Sequence, residues 1–172
     1  GLPPRIEVWC SKRGSSGDSY HMEIGPESFG QVFYAAKMGM GKLKIKKGLY
    51  TSGGPAAAEA VEKGFLSSKS ILKVNGYETG FDGGTNFSSG AKGTFQAPRD
   101  GRTETWEWRR KKAAGGFMDK LSRAMSSKMG DWELCPVGGS QVVATWTQGE
   151  GNGMAKNKTM GVLEFHGQAS MG

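Results

Sequence analysis

The chain has 172 residues, with 23 Lys and Arg against 16 Asp and Glu, a net charge of +7, and only two cysteines. This length suits one domain burying roughly 70 % of its unfolded surface. A single Cys pair excludes a disulfide framework, and no apolar run is long enough for a membrane-spanning helix. The 29 glycines, about 17 % against a usual ~7 %, sit between short alternating runs, which favours strands and turns over a helical bundle.

In chain order, Arg5–Cys10, Tyr20–Ile24 and Phe29–Ala36 read as strands, the last two parted by the Gly25-Pro26 turn signal. Lys42–Lys46 has a two-residue period, with Leu43 and Ile45 on one face and Lys42, Lys44 and Lys46 on the other. Pro55–Lys63 predicts a short helix, opened by Pro and ended by Gly64. Ser70–Asn75 is a further strand, ended by Asn75-Gly76, and Gly76–Gly93 reads as a long glycine-rich loop. Thr94–Gln96 and Thr103–Arg110 form a hairpin across Pro98–Gly101. Asp131–Val137 and Gln141–Thr147 form another across Gly138-Gly139, and Thr159–Phe165 is the last strand. About ten short strands with one or two peripheral helices predict a single all-β domain over 1–172, a barrel or a sandwich.

The charge is uneven. From Lys37 to Lys47 there are five lysines and no acid, and from Arg109 to Met129 seven cations face one acid, Asp119. A localised charge of this kind points to an anionic partner. The candidate contacts are Lys42, Lys44, Lys46 and Lys47 in the first block and Arg109, Arg110, Lys111 and Lys112 in the second. Phe117–Met129 projects as an amphipathic helix, adding Lys120 and Arg123 opposite an arc of Phe117, Leu121 and Met125. Trp106 and Trp108 share one strand face, which reads as packing rather than as a platform for bases.

Catalytic signals are sparse. His21 and Glu23 share a strand face and His166 could add a second imidazole for acid–base hydrolysis, but the spacing is not diagnostic. The cysteines and histidines have no CxxC or HxxxH spacing, and no phosphate loop, dinucleotide fingerprint or nucleophile elbow is present. The expectation is a non-enzymatic domain without metal, cofactor or small-molecule substrate.

Glu104-Thr-Trp-Glu-Trp-Arg-Arg110, followed by Asp131-Trp-Glu-Leu134, Val142-Val-Ala-Thr-Trp146 and Gly161-Val-Leu-Glu-Phe-His-Gly167, resembles in order and spacing the tubby C-terminal-like superfamily, which includes phospholipid scramblases and plant LURP-one-related proteins. The likeness is nearest to fungal members and is specific over 93–167. It implies a closed antiparallel barrel of about twelve strands around an apolar C-terminal helix, for which no segment is present by Gly172. It also implies an intracellular, cytoplasmic domain peripheral to a membrane, binding phosphoinositides or other anionic phospholipid headgroups. Nucleic acid or another protein is the alternative partner for the same cations.

Overall fold

Two Asx-Gly turns show how the chain builds its sheet. At Asn75-Gly76 and Asp100-Gly101 all four residues have positive φ, between 47° and 83°. This is the backbone of a type I′ turn, whose twist matches that of the paired strands. Each therefore joins neighbouring strands with only two residues, Val74 opposite Tyr77 and Arg99 opposite Arg102.

The computed structural model describes residues 3–13, 20–39, 41–50, 54–64, 69–83, 92–111, 131–149 and 158–167. They form twelve strands: β1 (Arg5–Arg13), β2 (Tyr20–Gly25), β3 (Tyr34–Gly39), β4 (Lys42–Lys47), β5 (Ala58–Glu62), β6 (Lys69–Val74), β7 (Tyr77–Asp82), β8 (Lys92–Arg99), β9 (Arg102–Arg110), β10 (Trp132–Pro136), β11 (Ala144–Gln148) and β12 (Lys158–Phe165). Every strand pairs antiparallel with its sequence neighbours, and β12 returns to β1, so the sheet is a closed meander barrel. Closure removes the unpaired edges that an open sheet would expose.

Three sequence expectations are corrected. Pro55–Lys63 is not a helix, because its Ala58–Glu62 stretch is β5, paired on both sides with β4 and β6. The helical preference of its alanines is overridden by the pairing that completes the wall, where Ala58 and Ala60 lie between Ile45 and Leu43 on one side and Val74 and Leu72 on the other. Gly76–Gly93 is not one loop, since β7 occupies Tyr77–Asp82. The strand expected from Phe29 begins instead at Tyr34. No described residue is helical, and the Phe117–Met129 helix lies outside the described residues.

Residues directly opposite in an antiparallel pair share a face. The rows Leu43–Ala60–Leu72 and Gly93–Trp108–Leu134–Ala144–Phe165 mark the apolar face, which lines the lumen. The rows Lys37–Lys44–Glu59–Lys73–Glu78 and Arg109–Glu133–Thr145–Glu164–Arg5 mark the charged exterior. Eight strands make a barrel that side chains just fill, and twelve enclose more space than that. Accordingly Leu43, Ile45, Leu72, Trp108, Trp132, Trp146 and Leu163 are only half-buried.

Candidate functional site

The clearest exterior feature is the wall formed by β3 and β4. The two-residue period of β4 sends Lys42, Lys44 and Lys46 outward together, and Lys37 on β3 lies directly opposite Lys44. From Lys42 to Lys46 the cations extend about 13 Å along the strand. Glu59 on β5 is the acid among them, with its carboxylate 3.4 Å from Lys42 Nζ and 3.5 Å from Lys44 Nζ. Partial desolvation raises its pKa, but Lys42 and then Lys44 outweigh that and hold it below the ordinary carboxylate range. Lys46 Nζ stands 5.3 Å from the Tyr50 ring, which in turn meets His21 edge-on at 5.7 Å.

The wall ends at exposed apolar groups. At the barrel end where β2 and β4 finish, Phe29 and Leu49 are 56 % and 54 % exposed. Phe29 has a φ of 61°, a left-handed conformation that costs a bulky residue about 1–2 kcal/mol. Its connection is fixed by the carboxylate of Glu7, which accepts from Ser28 N at 2.8 Å and from the Ser28 hydroxyl. Thr159 Oγ1 lies 2.6 Å from Ser28 Oγ and donates to it, and Arg5 Nη1 pairs with Glu7 at 2.6 Å. The Ser28 hydroxyl is the main reason the Glu7 pKa is lowered, with Arg5 adding to it against the opposing effect of desolvation. Trp9, fully buried on the outer side of β1, donates its indole N–H to Glu23 at 3.0 Å and packs on Phe29 at 5.9 Å. The strained loop is therefore anchored from beneath.

The second basic block is divided by the same geometry. Arg109 points outward between two acids, 3.8 Å from Glu107 and 3.7 Å from Glu133. Arg110 falls on the lumen-facing register, with its guanidinium 5.9 Å from the Trp132 ring. Lys111 is exposed just beyond the strand, while Lys112, Lys120 and Arg123 lie outside the described residues. Lys47 also departs from its block: it pairs opposite Tyr34 on the lumen register and is exposed at the barrel end. β4 and β9 are five strands apart around a twelve-strand ring, so their outer faces look in nearly opposite directions. Lys37 joins the first set through cross-strand register, which sequence proximity alone only hinted at.

The residues considered for acid–base chemistry are not brought together. Glu23 is engaged by Trp9, and His166 shares a 2.9 Å hydrogen bond with Thr145. His21 lies beside Lys12 of β1, whereas the end of β12 near His166 lies beside Arg5, about 23 Å away along the strand. Cys10 and Cys135 are both buried thiols, and burial pushes the Cys135 pKa up. Among the described residues no group of three or more His, Cys, Asp or Glu could hold a metal ion, and no helix is long and apolar enough to cross a membrane.

Among the described residues, cavities open in the wall and in the lumen. One, of about 390 Å³, lies where β7 and β8 pair at only two positions, and both Phe81 and Asp82 border it. The other, of about 440 Å³, is lined by Phe81, Trp108, Trp132, Trp146 and Leu163 with Gly83 and Gly93. Comparison with protein-family models, curated proteins and solved structures finds no match to this chain. The geometry therefore defines the class alone: a closed twelve-stranded antiparallel barrel with a lysine-rich outer wall.

Proposed function

We propose that the barrel is a non-enzymatic binding domain that docks on anionic membrane lipid, phosphoinositide foremost, through the outer wall of β3 and β4. The observation that carries this reading is the meeting of four outward lysines with two exposed apolar tips, Phe29 and Leu49, on adjoining elements. Cations attract headgroups, and apolar side chains enter the acyl boundary below them. Nucleic acid would use the cations and can stack a base on Phe29, but it gains nothing from the exposed Leu49, whereas a bilayer takes up both side chains. The closed twelve-strand meander is also the architecture implied by the resemblance to the tubby-like superfamily, whose members bind phosphoinositides through exterior Lys and Arg. The central helix of that family and a fungal origin remain part of the proposal and rest on the resemblance.

Each cation near an anionic leaflet contributes about 1 kcal/mol, so three charges amount to roughly a hundredfold in partitioning. Flotation with phosphoinositide-containing vesicles tests this. Lys42→Ala/Lys44→Ala/Lys46→Ala should lose about that factor, and Phe29→Ser should weaken binding further without altering affinity for an oligonucleotide. Equal binding to neutral vesicles, or stronger binding to an oligonucleotide that Phe29→Ser leaves intact, would overturn the membrane reading.

A further inference from the structure

The lumen cavity is built rather than left over. Among the described residues its walls carry four aromatic rings and Leu163, with no charged, hydroxyl or amide side chain. Two glycines keep it open. A Cβ on Gly161 would come within 2.2 Å of the Trp146 ring, and one on Gly93 within 2.2 Å of the Phe81 ring. Both rings therefore lie flat against the wall instead of reaching across the barrel. Any other residue at these positions would push the rings inward and fill the space.

The cavity has a charged lip. Arg110 follows Trp108 on the lumen register of β9, is exposed, and places its guanidinium 5.9 Å from the ring of Trp132, itself a lining residue. A guanidinium fork at the mouth of an apolar pocket suits a carboxylate or phosphate whose attached chain enters the pocket. The volume, about 440 Å³, lies at the lower end of small-molecule sites and has room for one chain rather than two.

We propose that the lumen binds one single-chain acyl amphiphile with an anionic head, such as a long-chain fatty acid or a lysophospholipid, with the chain against Trp108, Trp132 and Trp146 and the head on Arg110. This site is separate from the lysine wall. Arg110 is on the lumen side of β9, whereas the wall lysines lie on the outer side of β3 and β4.

Brominated fatty acid quenches tryptophan only on close contact, and three of the five tryptophans line the cavity. Titration of the whole chain with a bromo fatty acid should give saturable quenching at one equivalent. Leu163→Trp, which fills the cavity, should abolish it. Arg110→Glu, at an exposed position that the fold tolerates, should weaken the acid at least tenfold and leave the matching bromo alcohol unchanged. Lys42→Glu/Lys44→Glu/Lys46→Glu should leave the quenching intact. A brominated lysophospholipid should saturate in the same way, and a brominated two-chain phospholipid should not. The proposal is overturned by non-saturable quenching, by no quenching at any concentration, by equal loss of acid and alcohol in Arg110→Glu, or by loss in the lysine-wall variant.

Discussion

The outer faces of β3–β4 and β9–β10 come from sequence blocks of similar cation density, yet the barrel turns them into different surfaces. On β4 the lysines alternate with Leu43 and Ile45, so Lys42, Lys44 and Lys46 all face out, with Glu59 as their partner acid. On β9 the cations are consecutive, so Arg109 and Arg110 take opposite faces. Arg109 is then balanced by Glu107 and Glu133, and further round the barrel Arg5 is balanced by Glu7 and Glu164. In a strand, the spacing of charges decides whether they make a patch, and their number does not.

If the β9–β12 side is structural, its ion pairs should affect stability and leave lipid binding alone, whereas Glu7 on β1 also holds the Phe29 loop and should affect both. The largest effect belongs to Glu7, where hydrogen bonds to a charged group contribute about 2 kcal/mol. Glu7→Gln should lower the midpoint of thermal unfolding by roughly 6 °C at neutral pH, for a domain of this size. Because the folded pKa of Glu7 is lowered, its contribution is complete above the unfolded value near 4.5 and is lost as pH falls through the folded value. The gap between Glu7→Gln and the parent should therefore narrow steadily as pH falls below the unfolded value of 4.5. A constant gap from pH 7 to pH 3 would show that the Ser28 latch is not charge-dependent.

Arg109→Ala should cost about 1 kcal/mol, read by urea unfolding, because it leaves Glu107 and Glu133 without their shared cation. Its vesicle binding should stay within twofold of the parent. Loss of binding in this variant would place the lipid surface on the wrong side of the barrel. On the other wall, Glu59→Gln removes the acid held between Lys42 and Lys44. One unit of charge is about 1 kcal/mol near an anionic leaflet, so vesicle binding should rise about fivefold at low salt and converge with the parent at high salt.

Legibility in the sequence followed the strength of local alternation. β4 stands out because Leu43 and Ile45 alternate with lysines, and β9 because Trp106 and Trp108 alternate with Glu107 and Arg109. The two Asx-Gly turns were readable for the same local reason, since only such pairs accept positive φ at both positions without strain. β5 looks helical in sequence because Ala58 and Ala60 carry helix preference, and only the neighbouring Leu43 and Leu72 rows make them strand residues. β7 was hidden by Gly80 and by glycine-rich flanking sequence. Within the candidate site, the lysines of β4 could be grouped from their period. The position of Phe29 could not, because its exposure depends on a loop held by Glu7, a side chain of the neighbouring strand β1 that no local pattern links to it. The lumen cavity was equally hidden. It is made by residues from six successive strands, four of them aromatic, and no segment of the chain contains its pattern.

The account rests most directly on which side of the barrel meets lipid. Two charge-reversed proteins, Lys42→Glu/Lys44→Glu/Lys46→Glu and Arg109→Glu, should be compared by flotation with the same phosphoinositide vesicles after both are shown to be folded by circular dichroism. The first should lose vesicle binding and the second should keep it. Retained binding in the first with loss in the second would contradict the proposed surface.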